Sequence, residues 1–540
     1  MLTGEQFAKM IISAANNLTN NKELLNEMNV FPVPDGDTGK NMSMSISGAK
    51  EAAESLVNKK PDACDVADKV AMATLRGARG NSGVILSQLL RGFAKEMKGK
   101  KEVSSARFAK CFVTASQTAY SAVMKPTEGT ILTVARECGE HVGQYITNKT
   151  DLLTVMREAV KAANESLDRT PELLPKLKAA GVVDAGGKGW VVALEGMLYY
   201  LENEKVVEIF DGTEISAQAA SLAEGENEEI TFTYCTEFLI DKSSPEVNAD
   251  RFRNTISKIG DCVVVIDEYD FVKVHVHTDN PGIVIQNALK LGSLNDIKID
   301  NMRYQHNEKI NGSVEEYPKE PPKKCAVVAV SAGEGYSAIM KELGVTYVIE
   351  GGQTMNPSAG DILKAIEDAN AETVYVLPNN KNIIMAAEAA RDMAECKVVV
   401  INTTSVPQGI SAMLGFDPEA DSDANSEAMN EIIDIVFTGS VTYAVRDSSN
   451  NGIEIKEGQI IGLGIGGIVA NGEDINTVAL DVCRNLISEE TGIVTVYYGE
   501  DISEEQAESL AELIENEYSD IDVSVQFGGQ PIYYYNISAE

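Results

Sequence analysis

Asn29-Val-Phe-Pro-Val-Pro-Asp35-Gly-Asp37-Thr-Gly39-Lys-Asn41-Met holds the residue types and spacing best suited to chemistry in this sequence. Two carboxylates, Asp35 and Asp37, flank a glycine between a proline-rich approach and a run of helical period. Carboxylates on a tight loop can hold Mg²⁺, a hard cation that takes oxygen ligands and leaves room for substrate phosphates. The helix expected after Thr38 presents N–H groups that lack intrahelical partners and so favour anions. The same residues also read as an Asp-capped helix after a proline turn, and the motif alone leaves both readings open.

Three further corners are rich in glycine. Arg76-Gly77-Ala-Arg-Gly80-Asn81-Ser82-Gly83-Val84 opens an apolar helix, where the N–H groups with Asn81 and Ser82 can cradle a phosphate. It is not a P-loop, because no Gly-Lys-Ser/Thr follows at the right spacing and no strand precedes it. The others are Lys125-Pro126-Thr-Glu-Gly129-Thr130 and Gly181-Val-Val-Asp184-Ala-Gly186-Gly187-Lys188-Gly189. Singly, each reads as a helix–helix turn. Together in one helical region they are denser in glycine than bundle turns require, which points to phosphate handling.

A second constellation lies mid-chain. The chain has four histidines, and two of them are His275 and His277. In a strand over Phe271 to Thr278 they share a face, while Val272, Val274 and Val276 take the other. In a strand over Thr231 to Ile240, Phe232, Tyr234, Phe238 and Ile240 take the core side, and Cys235 and Glu237 the open side. If these two strands are neighbours, Cys235 comes beside the two imidazoles. A thiolate with two imidazoles suits Zn²⁺, with a position left open or with Glu237 as fourth ligand. The alternatives are a polar face that packs on a neighbour, or a histidine that transiently carries phosphate.

The elements that must position these residues fall into three periods. Residues 1–205 read as eight or nine helices and no strand. Thr3 and Gln6 have capping-box spacing, and Phe7, Met10, Ile11, Ala14, Ala15 and Leu18 fall on one face. An Ala/Ser/Glu-rich linker over 213–229 follows. Residues 230–310 give strand, helix, strand, strand, helix, strand, an α+β ferredoxin-like order. A Pro/Lys/Glu-rich linker over 317–324 leads to residues 325–540, where short β-branched strands alternate with helices. That alternation predicts an α/β domain with a mostly parallel sheet. From about Ser440 a second lobe is expected, its clearest element a helix over Glu504 to Glu517.

The 82 acidic and 46 basic side chains give a formal net charge of −36. That charge repels phosphate backbones and anionic lipid surfaces, which argues against nucleic acid as a partner. No apolar run reaches the roughly 20 residues a membrane helix needs. The eight cysteines include no CxxC pair, a pattern suited to free thiols in a reducing cytoplasm.

NVFPVPDGDTG, RGARGNSGV, KPTEGTILTV and VVDAGGKGW make the first 200 residues resemble the nucleotide-binding L subunit of dihydroxyacetone kinase, an all-α barrel of eight helices. With VKVHVHTDNPG and the remaining regions, the whole chain resembles the larger, nucleotide-binding component of fatty acid kinase, whose C-terminal part is DegV-like. The resemblance implies ATP and Mg²⁺ as cofactors, with Asp35 and Asp37 as Mg²⁺ ligands and catalytic residues. It places Thr38, Asn41, Asn81, Ser82 and Gly83 along the phosphates, Thr130 near the phosphate chain, and Asp184 and Gly186 near the nucleoside. It implies a role in phosphotransfer for His275 and His277. The sequence departs from the dihydroxyacetone kinases, which have an upstream third aspartate. Here Asn29 is the nearest oxygen-bearing candidate, which weakens the inference of a small ketone acceptor.

The expected activity is ATP-dependent phosphorylation of a fatty acid, presented by a DegV-type fatty acid-binding protein, to an acyl phosphate that feeds phospholipid synthesis. A homodimer is a further expected assembly. A small ketone or polyol kinase and a non-catalytic nucleotide-sensing scaffold are the alternatives. Because residues 1–205 carry all four corners, that domain is expected to bind MgATP by itself, and residues 325–540 to dock the carrier.

Overall fold

The computed structural model describes residues 1–29, 36–123, 126–144, 150–209, 232–242, 249–267, 271–301, 322–352, 356–444, 448–450 and 453–540. Contacts divide the chain into two units, Met1–Ile209 with Pro321–Glu540, and Phe210–Glu320.

The first part is helical. Among the described residues its helices are α1 (Gly4–Asn20), α2 (Lys22–Met28), α3 (Thr38–Val57), α4 (Ala63–Arg76), α5 (Gly80–Met97), α6 (Ser105–Ser121), α7 (Ile131–Gly143), α8 (Leu152–Asp168), α9 (Thr170–Leu173), α10 (Pro175–Ala180) and α11 (Ala185–Asn203). Thr3 and Gln6 form the capping box of α1, with Gln6 N–H bonded to Thr3 Oγ1 at 3.2 Å and Thr3 N–H to Gln6 Oε1 at 3.1 Å. The apolar face of α1 is fully buried against α3 and α11. Phe93 meets Phe112 edge-on at 5.1 Å in the middle of this core. One expectation is corrected here: β1 (Leu2–Thr3) and β2 (Glu102–Val103) pair antiparallel. Two residues are too few to show a strand period.

Residues 322–540 form two α/β lobes. In the first, β7 (Lys323–Ser331), β8 (Tyr347–Glu350), β9 (Ala371–Leu377) and β10 (Lys397–Val400) make a parallel sheet ordered β10-β9-β7-β8. Its helices are α14 (Glu334–Glu342), α15 (Ala359–Asp368), α16 (Ile384–Met393), α17 (Val406–Leu414) and α18 (Ser422–Ile435). In the second lobe β11 (Phe437–Tyr443), β14 (Ile460–Gly464), β15 (Gly467–Gly472), β16 (Ile493–Tyr498), β17 (Asp522–Phe527) and β18 (Tyr535–Ala539) form a mixed sheet ordered β15-β14-β11-β18-β16-β17. It carries α19 (Ile475–Leu486) and α20 (Glu504–Glu517), and a small hairpin of β12 (Ser448–Asn450) and β13 (Ile453–Ile455) sits beside it.

The helical part and the first α/β lobe share apolar cores. Ala78 and Val84 of the helical part are buried in one cluster with Val328, Ile362, Ile383 and Ala386 of the lobe. Leu75 joins Ala359 and Ala389 in another. Among the described residues no helix is long and apolar enough to cross a membrane.

The second unit contains β3 (Tyr234–Lys242), α12 (Asp250–Ile256), β4 (Gly260–Asp267), β5 (Phe271–Thr278), α13 (Pro281–Ala288) and β6 (Gly292–Asn301). The sheet is antiparallel and ordered β4-β5-β3-β6. Phe238, Ile240, Val272, Val274 and Val276 bury one face under Phe252, Ile256, Val284 and Ala288 of the two helices. Strand β5 spans the expected Phe271–Thr278, and β3 runs two residues past the expected Ile240, to Lys242.

Candidate functional site

A cavity of about 450 Å³ lies where the helical part meets the first α/β lobe. That is within the roughly 300–1,000 Å³ of small-molecule sites. Asn29, Asp37, Thr38, Asn41, Asn81, Ser82, Thr130, Asp184 and Gly186 all line it. Loops from four distant stretches of sequence thus meet at one place. Asp35 lies outside the described residues. Gly83 is not in the lining. A Cβ there would stand 2.1 Å from Ser45 Oγ, so this glycine lets α5 close onto α3. Ser45 Oγ in turn accepts from Arg79 N–H at 3.0 Å and donates to the Asn41 carbonyl at 2.6 Å, which locks the second corner to the first.

Among the described residues, five helices of ten or more residues begin at this cavity: α3, α5, α7, α11 and α16 contribute lining residues from their first turns or N-caps, as does the six-residue α10. Each N-terminus carries a partial positive charge and N–H groups without intrahelical acceptors. Thr130 caps α7 through Leu132 N–H at 3.4 Å, and Asp184 caps α11 through Gly187 N–H at 2.6 Å. The N-cap side chains of α3, α5 and α16, which are Asp37, Arg79 and Ile383, make no capping hydrogen bond. The pocket is therefore an anion cradle with a carboxylate, Asp37, on its wall. Among the described residues, Asp37, Asn29, Thr38 and Asn41 supply hard oxygen atoms there, the donor chemistry that Mg²⁺ takes.

The α/β lobe completes this wall. Asn356, which is buried, donates from Nδ2 to Asp37 Oδ2 at 2.7 Å. Arg79 donates to the Asn356 carbonyl at 2.7 Å and pairs with Asp361 at 3.2 Å. Ala359 N–H donates to the Ala78 carbonyl at 3.0 Å, and Asn81 Nδ2 to Asn382 Oδ1 at 3.4 Å. Lys381, Asn382 and Met385 line the cavity. Residues 1–205 carry all four corners, and the α/β lobe adds these three residues to the lining. A signal is present: Pro378-Asn-Asn-Lys-Asn382 follows β9 at the carboxyl edge of a parallel sheet, where such sheets bind ligands. Asn356 has no comparable signal.

Burial pushes the Asp184 carboxyl up to about 6, against the pull of backbone N–H groups of Gly187 and Ile131. A carboxyl whose folded pKa exceeds its unfolded value favours folding most at low pH, and that contribution is lost as pH rises from about 3.8 through 6. The loss is at most about 3 kcal/mol, and less to the extent that the cavity hydrates the group. Asp184→Asn keeps an acceptor for Gly187 N–H but removes the charge. It is expected to raise the apo protein's thermal midpoint at pH 7.5 and to match wild type near pH 4. A difference independent of pH would refute this account.

In the second unit the register pairs Cys235 with His277 and Glu237 with His275 across β3 and β5. His277 is half-buried. The side chains of Cys235, Glu237 and His275 lie outside the described set. Among the described residues no group of three or more His, Cys, Asp or Glu could hold a metal ion.

Family models match three stretches of the chain: the DAK2 domain over residues 32–199, the FakA-like middle domain, of the fatty acid kinase A-subunit-like proteins, over 231–309, and the FakA-like C-terminal domain over 326–540. An uncharacterized protein of Staphylococcus epidermidis is 41% identical over 559 residues, covering 100% of this chain and 99% of its own length. Among solved structures, a DegV family protein of Corynebacterium glutamicum overlays 40% of this chain and 96% of its own at 13% identity, with a TM-score of 0.32. The dihydroxyacetone kinase of C. freundii overlays 41% of this chain and 48% of its own at 14% identity, with a TM-score of 0.30. Overlays this slight carry no functional argument. The helical part followed by an α/β part, with its DAK2 match, defines a kinase-type phosphotransferase. The chain belongs to the fatty acid kinase A-subunit-like family.

Proposed function

We propose that this chain is a cytoplasmic ATP- and Mg²⁺-dependent kinase subunit that phosphorylates a fatty acid presented by a separate DegV-type carrier. The observation that carries the reading is the convergence of five helix N-termini and Asp37 on one cavity in a member of this family. In it the phosphate chain lies against the first turns of α3 and α5, with the nucleoside toward Thr130, Asp184 and Gly186. Asp35 and Asp37, with Asn29 nearby, hold Mg²⁺, which when bound neutralises phosphate charge and orients the terminal phosphoryl group. A carboxylate oxygen of the fatty acid forms a bond to the γ-phosphorus as the bond to the bridging oxygen breaks. ADP leaves with that electron pair, and an acyl phosphate remains. Residues 1–205, 230–310 and 325–540 are read as nucleotide, middle and carrier-docking domains.

The middle domain is read as ferredoxin-like, with Cys235, His275 and His277 holding a zinc ion. The register that sets Cys235 opposite His277 supports this, and a thiolate with imidazoles fits that metal.

Purified chain with ATP, Mg²⁺ and a lipid-loaded carrier is expected to consume ATP and to form acyl phosphate, trapped by hydroxylamine as a hydroxamate. Without carrier, consumption should stay at background. Carrier-independent phosphorylation of dihydroxyacetone would instead establish a ketone kinase, and ATP binding with no turnover under any condition a nucleotide-sensing scaffold. Elemental analysis of the same preparation is expected to give about one zinc per chain, the content of a single site.

A further inference from the structure

We propose that Lys381, carried by the α/β lobe, contacts the terminal phosphoryl group of the bound nucleotide and stabilises the charge that spreads over it during transfer. This rests on the kinase reading above and assigns to the α/β lobe a part in the chemistry, beyond docking.

Phosphoryl transfer asks little covalent chemistry of a protein. It asks for positive charge held beside the equatorial oxygens of the moving group. This chain is poor in such charge overall, at −36. Among the described lining residues the basic side chains are Lys176 and Lys381. They stand in different places. Lys176 belongs to α10, next in sequence to the Asp184 corner, where the nucleoside is read to sit. Lys381 is the immediate neighbour of Asn382, whose Oδ1 accepts from Asn81 in the phosphate corner at 3.4 Å. Asn356 of the same lobe reaches Asp37. Lys381 is therefore delivered to the end of the cavity where the metal-binding carboxylate and the phosphate loops lie.

The backbone at the base of this side chain is held by its neighbours. Asn379 donates from its backbone N–H to Thr403 Oγ1 at 3.0 Å and from Nδ2 to the Val330 carbonyl at 2.9 Å. Asn380 Nδ2 donates to the Gly352 carbonyl, and Asn380 Oδ1 accepts from Asn382 N–H at 2.8 Å. Ile383 N–H closes the turn onto the Asn380 carbonyl at 2.9 Å. Each of these asparagines is thus bonded to strand β7, to the loops that follow β8 and β10, or to the turn itself, and Lys381 is exposed. A long cationic side chain on a fixed base can follow a moving phosphoryl group. The first turn of α16 begins three residues later and adds its N–H groups to the same anion. The shared apolar cores hold the lobe against the helical part, so the lysine's reach is set by the fold.

The test uses the full chain with lipid-loaded carrier. Nucleotide affinity is measured by calorimetry, and turnover by acyl hydroxamate formation, for wild type, Lys381→Ala, Lys381→Arg and Lys176→Ala. Lys381→Ala is expected to lower kcat by about a hundredfold, the scale of losing one preorganised charge-stabilising group. Its nucleotide dissociation constant should rise by less than about fivefold, because the contact strengthens in the transition state. Lys381→Arg should recover part of kcat, and Lys176→Ala should act mainly on nucleotide affinity. An active wild type with Lys381→Ala turnover within about threefold of it overturns the inference alone, as does a loss confined to nucleotide affinity. A wild type that binds and turns over no ATP overturns the kinase reading, and this inference with it.

Discussion

Asp37→Asn and Asp35→Asn are each expected to lower carrier-dependent turnover by about a thousandfold or more, while the far-ultraviolet dichroism and thermal midpoint of wild type are retained. The magnitude follows from the several kcal/mol a metal ion contributes to stabilising phosphoryl charge, each 1.36 kcal/mol being tenfold in rate. For Asp37 the preserved fold follows from the structure. Asp37 Oδ2 accepts from Asn356 Nδ2, and an asparagine at position 37 can turn its own amide oxygen to that donor. Asp37 makes no side-chain capping bond to α3, so the helix start loses no hydrogen bond. Only the anionic ligand is lost, and activity should be partly regained at high Mg²⁺ if metal affinity is what fell. Full activity in both variants would remove Asp35 and Asp37 from the site.

That the four corners belong together was legible because each pairs glycines with the start of an apolar helix, and helix starts are anion sites wherever they occur. The helices of the first part were legible for a similar reason: capping residues such as Thr3 and Gln6 and one-sided stripes such as Phe7 to Leu18 are local signals. Strands β5 and β9 were found from β-branched alternation, and α20 from its unbroken acidic run. Local signals fail where contacts are long in sequence. Asn356 reaches Asp37 across more than 300 positions, and nothing in Asn-Pro-Ser around it announces that contact. Composition also misplaced one boundary. Lys323 and Lys324 read as the end of a charged linker, yet they open β7, where Lys323 pairs with Ala371. The ladder needs their backbone and is indifferent to their charge. In the middle unit Val272, Val274 and Val276 are buried, His277 is half-buried, and the register sets Cys235 opposite His277. Pattern and register reach that far, and the metal content does not follow from either.

Gly39→Ala is expected to cost about 3 kcal/mol of stability and about a hundredfold in turnover. Position 39 closes the Asp-Gly-Asp-Thr-Gly motif and sits in the first turn of α3. A Cβ there would lie 2.0 Å from the Lys22 carbonyl oxygen and 2.9 Å from Leu25 Cβ, both on α2. The nearer atom is backbone, so no rotamer relieves the clash, and α2 and α3 must part. Overpacking of this kind costs about 1–3 kcal/mol, and backbone contact puts it at the upper end. Parting the helices also strains the bond from Lys40 N–H to Asn26 Oδ1, 3.1 Å long, that seats α3 on α2. It disturbs fully buried Leu25 as well. Because Asp37, Thr38 and Asn41 ride on this same turn, a shift of about 1 Å misplaces them, and displacements of that size can cost about a hundredfold in rate. Gly143→Ala is the matched control. It ends α7, its Cβ would meet Val113 Cγ2 at an ordinary 3.4 Å, and alanine is the better helix former, so stability should hold or rise. The readouts are chemical denaturation and carrier-dependent turnover. Should Gly39→Ala match Gly143→Ala in both, the close approach of α2 to α3 is not what the last glycine of the motif is for.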